Sequence, residues 1–130
     1  DVSAKVVPKI ALLALPRGGG RVSTRSFIPH ECHASIGVFA AVSVATACVL
    51  PGSPGARIAQ VPDGSVKTFS VEHPTGEFTV RLEVEGGAET PAITRAGLVR
   101  TARKLFDGMV FVSSRAASGW SLDATRQAAE

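Results

Sequence analysis

The sequence predicts an α+β domain: a mixed or antiparallel curved sheet wrapped round one central apolar helix. Three observations predict it. Residues 34–50 are too long for one strand, rich in Ala, and halted by Pro51-Gly52, as a helix end is. Their only polar side chains are Ser35, Ser43 and Thr46, and a helix apolar on nearly every face needs cover on all sides. Segments on both sides of this stretch alternate with the two-residue period of strands.

The elements follow in order. Residues 6–15 form a buried strand through Val6, Val7, Ile10, Leu12, Leu13 and Leu15, with Pro8 near an edge or bend. Pro16-Arg17-Gly18-Gly19-Gly20 is a turn. It is not a phosphate loop, because Arg21 and Val22 stand where Lys and Ser or Thr would open a helix. Residues 21–28 give a second strand. After the helix, 51–55 is a loop, and strands are expected at 57–61, 66–72, 78–85, 92–104 and 109–112. Phe78, Val80, Leu82 and Val84 share one face; Thr79, Arg81 and Glu83 share the other. His73-Pro74-Thr75-Gly76 has type I turn chemistry and closes a hairpin. From residue 113 the chain is polar and Ala-rich, with weak helical character at 122–129. No internal repeat occurs.

Composition narrows the function. The 130 residues are 45% hydrophobic and 19% charged with 13 Gly and 8 Pro, which excludes a disordered tail, a collagen-like repeat and a disulfide scaffold. Six Phe, one Trp and no Tyr leave the core to Val, Ala, Leu and Ile. Residues 1–60 carry six basic and two acidic side chains, residues 61–130 eight and nine, so the first half suits an anionic ligand. No dense Lys/Arg stripe with interleaved aromatics supports nucleic-acid binding. The apolar run 36–50 falls short of the roughly twenty residues of a membrane span, and the first residues lack the pattern of a signal peptide. Without an initiating Met, the sequence reads as starting inside a longer parent.

Cys32 and Cys48 on one helix would stand about 24 Å apart, beyond the roughly 7 Å a disulfide allows. Free thiols fit a reducing, cytoplasmic compartment. His30, Cys32, His33 and His73 match no standard zinc spacing, and there is no second Cys pair. No Gly-x-Ser-x-Gly elbow supports Ser-His-Asp hydrolysis.

Five segments occur in a telling order: Pro8-Lys9-Ile10-Ala11-Leu12, His30-Glu31-Cys32-His33-Ala34, the small-residue helix with 41–48 Ala-Val-Ser-Val-Ala-Thr-Ala-Cys, His73-Pro74-Thr75-Gly76, and Arg100-Thr101-Ala102-Arg103. Together they make residues 1–112 resemble the PrpF-like isomerases, most closely the 4-oxalomesaconate tautomerases among them. The resemblance implies a diaminopimelate epimerase-like fold: two similar domains, each a sheet round a central helix, with the active site in the cleft between. It further implies a cofactor-independent enzyme and a chain matching the second domain, with the first domain absent. Residues 113–130 do not follow the family's pattern and read as a polar tail, a frameshifted or foreign end.

The resemblance implies a keto–enol or allylic proton shift on an unsaturated oxo-tricarboxylic acid. A base removes a proton, an acid returns one, and positive groups hold the enolate. Cys32 and His33 are the catalytic candidates. Ser35, His73, Thr75, Gly76, Arg100 and Arg103 are the substrate-binding candidates, with Arg21 and Arg25 as further carboxylate holds. A helix N-terminus at 30–35 would add unpaired N–H groups and a positive dipole end. Each has a plainer reading. Ser35 can be a helix cap, Cys32 an inert buried thiol, His33 a backbone-bonded ring and His73 a turn residue. Arg81 and Lys104 read as solvated, and Cys48 as core. Two alternatives stand beside the tautomerase: an aconitate- or itaconate-type isomerase, and a truncated, non-catalytic domain that binds anions or self-associates. The expected partners are a small di- or tricarboxylate, and either a second copy or the absent first domain.

Overall fold

The computed structural model describes residues 4, 5, 7, 9–28, 30–109 and 111–113. The chain divides into two units, residues 1–100 and 101–130. The first holds β1 (Ile10–Ala14), β2 (Val22–Phe27), α1 (Val38–Val49), α2 (Pro54–Ile58), β3 (Val66–His73), β4 (Gly76–Glu85) and β5 (Ala92–Leu98). The strands form one sheet in sequence order. Every neighbouring pair is antiparallel except β2 and β3, which are parallel. Parallel neighbours need a crossover, and α1 with α2 supplies it.

That crossover sets α1 on one face of the sheet. Its buried residues, Ala41, Val44, Ala45 and Cys48, recur at three- and four-residue intervals and make one stripe. The stripe meets Val22, Phe69, Val71, Val80 and Leu82 in a single core. Burying a side chain the size of Leu82 contributes about 1.5–3 kcal/mol. The helix stops where Pro51, which has no N–H, follows Leu50. The expected strand faces hold: Val80 and Leu82 are buried, and Arg81 on the other face is exposed.

Several expectations change. The helix is not wrapped on all sides: Phe39 is 88% exposed and Val38 51%. Small side chains on one stripe satisfy the sheet; α2 covers the opposite stripe only near Ala47, and Phe39 and Ser43 stay exposed. The helix begins at Val38 with Gly37 as N-cap, so Ser35 is not its cap. Residues 57–61 are not a strand. Ser53 accepts from the Ala56 N–H at 3.1 Å and Pro54 opens α2 at its first position. Gly55 is required there, since a Cβ would lie 2.9 Å from Ala47 C and Cys48 N. β1 covers only residues 10–14, and β5 ends at Leu98 rather than at 104. Residues 109, 111 and 112 are not in a strand. The helical character expected at 122–129 falls outside the described residues, as does Pro8.

The hairpin is as expected. His73 pairs with Gly76 across Pro74-Thr75, and no non-glycine residue among those described has positive φ, as type I chemistry requires. No helix of the described residues is long and apolar enough to cross a membrane.

Candidate functional site

The hairpin turn and the segment leading into α1 meet. Thr75 Oγ1 donates to the Ala34 carbonyl at 2.8 Å. His73 lies between them. Its Nδ1 faces the Thr75 N–H at 3.4 Å, and its Nε2 is 3.5 Å from Ser35 Oγ. Desolvation by burial holds the His73 pKa below the usual histidine value, against upward pulls from the Ala34 backbone and Glu77. The ring is therefore neutral at physiological pH.

Phe78 joins the group, its ring centroid 5.7 Å from that of His73. The Arg100 guanidinium lies 5.1 Å from the Phe78 centroid, within cation–π range. The β3–β4 hairpin register, with Val71 opposite Phe78 and His73 opposite Gly76, places His73 and Phe78 at one end of the sheet, and Val99 N–H bonds the Thr79 carbonyl at 2.9 Å, which brings Arg100 there. Gly76 has φ +156°, and a Cβ on it would stand 3.6 Å from His73 Cε1.

His33 and Cys32 occupy the adjoining loop. The His33 N–H bonds the Ser26 carbonyl at 2.7 Å, and its Nδ1 accepts from the Ser35 N–H at 3.1 Å. Cys32 is an exposed free thiol, bridged to Phe27 through the backbone, with Sγ 3.8 Å from the His33 carbonyl. Neither residue sits on the first turn of α1, so the expected helix-start cluster is a loop ahead of it. Cys48 is core, as expected: burial pushes its thiol up to about 11.

Thus Ser35, His73, Thr75, Gly76 and Arg100 come together, with His33 linked through Ser35. Arg21 and Arg25 do not join them. Arg21 is exposed and tied by its backbone to Ser70 and Gln60, while Arg25 Nη1 rests on the Thr24 carbonyl at 2.7 Å. Arg103 belongs to the separate unit 101–130. Among the described residues no three His, Cys, Asp or Glu side chains converge in a way that could hold a metal.

One residue escaped the sequence reading. Glu72 is buried, and its carboxylate accepts from the N–H groups of Arg17, Gly18 and Gly20 at 2.7–3.1 Å. The Arg17 backbone bond leads in drawing its pKa below the ordinary carboxylate value; desolvation opposes, and the bonds from Gly18, Gly20 and Ser23 add to the lowering. The triple-glycine turn is thus an anion cradle filled by the chain's own carboxylate. Gly20 makes room for it, since a Cβ there would lie 2.6 Å from Glu72 Cγ. The signal was three glycines in a row; the partner lies over fifty residues away and leaves no local trace.

A mixed sheet with a helix on one face, a histidine at one end and a guanidinium near it define a small α+β domain. The model of the family described as PrpF protein matches residues 1–113, and the chain belongs to that family. Over 112 residues it is 59% identical to a (4E)-oxalomesaconate Delta-isomerase of Novosphingobium sp. (strain KA1), covering 86% of this chain and 30% of that protein. It is 57% identical to a 4-oxalomesaconate tautomerase of Pseudomonas putida KT2440, again over 86% of this chain and 30% of the relative. The chain thus spans about 30% of the length of these curated relatives.

Proposed function

We propose that this chain is part of a cofactor-independent isomerase that shifts a proton on an unsaturated oxo-tricarboxylic acid, with 4-oxalomesaconate as the preferred substrate, and that it carries proton-transfer as well as substrate-holding residues. The observation that carries the reading is the His73 cluster, set beside relatives whose names specify that substrate. In this reading Ser35, Thr75 and Arg100 hold and orient the acid. His33 and Cys32 exchange the proton: one takes the enol O–H proton, the electron pair moves through the conjugated chain, and the other delivers a proton to carbon. Arg103 stands as a further carboxylate hold, and the cytoplasm as the place of action. The active site would be shared with a first, epimerase-like domain.

The test is an ultraviolet assay of the purified chain with 4-oxalomesaconate, following the enol band at neutral pH. Conversion above the buffer rate, abolished in His33→Ala or Cys32→Ser, supports the reading. A folded chain without turnover restricts it to a non-catalytic half. An aconitate- or itaconate-type isomerase would instead prefer those acids in competition.

A second reading rests on the exposed stripe of α1 and the outer residues of β1. Phe39 is 88% and Leu12 58% exposed, so the isolated chain self-associates through them. Light scattering that finds a monodisperse 13.4 kDa monomer rejects this.

A further inference from the structure

Phe78 stands between the histidine and the arginine of the site. The β3–β4 register sets Val71 opposite Phe78, and the β4–β5 register sets Val80 opposite Leu98. His73 follows Val71 by two positions and Arg100 follows Leu98 by two, and a two-residue step along a strand returns to the same face. The Val99 N–H bond to the Thr79 carbonyl carries the pairing past the end of β5. His73, Phe78 and Arg100 therefore share the helix-covered face, with the phenyl ring in the middle. Its centroid lies 5.7 Å from that of His73 and 5.1 Å from Arg100 Cζ. Phe78 is half-buried and packed against the core, so the ring has a fixed place.

Arg100 has no such anchor of its own. It is exposed, and among the described residues its side chain pairs with no carboxylate and donates no hydrogen bond. A long exposed side chain loses rotamer freedom when a ligand orders it. An ion pair would order Arg100 beforehand, but would occupy the N–H donors that a carboxylate takes two at a time. An aromatic ring attracts the cation through its π face and uses none of those donors as a hydrogen-bond partner. Phe78 thus fixes the guanidinium and leaves its donor fork free.

We propose that Phe78 is a positioning residue whose ring holds the Arg100 guanidinium where that side chain takes a carboxylate of the substrate. The proposal rests on the carboxylate-holding role given to Arg100 above, and supplies what readies that side chain before the acid arrives.

The test uses the isotope-labelled whole chain and tricarballylate, a saturated tricarboxylate. In the unaltered chain, nuclear Overhauser contacts between the Arg100 δ-protons and the Phe78 ring are expected, with those protons shifted upfield. Phe78→Leu, which keeps apolar bulk and removes the ring, should abolish the upfield shift. It should also weaken tricarballylate binding about two- to fivefold, the range of an exposed cation–π contact. Phe78→Tyr, which keeps the ring, should bind as the parent does. In an Arg100→Ala background Phe78→Leu should weaken binding no further, whereas a merely structural phenylalanine would weaken both backgrounds alike. Equal losses in the two backgrounds overturn the proposal. So do Phe78→Leu binding as tight as the parent's, Arg100 protons without a ring contact, or a folded chain that binds no tricarballylate. The ring contacts of the unaltered chain and the Phe78→Tyr variant keep the proposal falsifiable even if Phe78→Leu does not fold. Turnover of 4-oxalomesaconate with unchanged KM in Phe78→Leu sinks the positioning role and leaves the isomerase. Ring-dependent tricarballylate binding without turnover sinks the isomerase and leaves the positioning role.

Discussion

The β3–β4 half of the sheet and the β1 edge are built on different terms. β3 and β4 pair over eight registered positions and bury Phe69, Val71, Val80 and Leu82. β1 pairs over five and leaves Ile10 and Leu12 at least half exposed, with only Leu13 packed against the core. In sequence β1 is the more apolar region, with all five residues apolar against three of eight in β3 and four of ten in β4. What separates them is the α1 stripe, which covers the middle of the sheet. Hydrophobicity qualified both regions for burial, and packing selected one.

Substitutions sharpen the contrast. Leu82→Ala, at a fully buried position, should cost about 2–5 kcal/mol in urea unfolding. Ile10→Ala, 50% exposed, should cost well under about 1 kcal/mol. Equal losses would mean that β1 is covered in solution.

Glu72→Ala comes next, because it strands buried N–H groups of the cradle, at about 1–3 kcal/mol. Acid tests the same bonds. The folded pKa of Glu72 lies below its ordinary 4.5, so its contribution is complete above that pH and is lost as pH falls through the folded value. Urea midpoints should fall more steeply with acid below pH 4.5 in the parent than in Glu72→Gln. Matching slopes would show that the cradle does not depend on charge. Gly20→Ala should destabilise by about 1–3 kcal/mol, since the added Cβ meets both Glu72 Cγ and the Ser70 carbonyl.

The smallest effect concerns the thiols. Under native conditions a thiol reagent should label Cys32 at once and Cys48 only on unfolding, because Cys48 is buried with its pKa raised to about 11. Two fast thiols would show that α1 opens readily.

The strands flanking His73-Pro74-Thr75-Gly76 were legible because alternation and turn chemistry are local. α2 was not, because Pro54 and Gly55 in a five-residue helix read as breakers; the Ser53-Pro54 start was the overlooked cue. Wrapping of α1 was inferred from apolar content, which cannot say which neighbours exist. The Ser35–His73–Thr75 grouping joined residues already suspected. Glu72 stayed hidden, since its partners lie 52–55 positions away and its own neighbourhood reads as an ordinary strand.

The parallel junction is the narrowest seam in the sheet, with two registered pairs, Val22 with Val71 and Ser23 with Glu72. On one side lies a β1–β2 hairpin, on the other a β3–β4–β5 meander joined by short connections. Local contacts form early and long closures late. The meander should therefore assemble before it joins the hairpin, with docking across the seam, sealed by α1 and the Glu72 cradle, expected as the last step. In reverse, amide exchange should travel inward from β1, with β3 and β4 the last to yield.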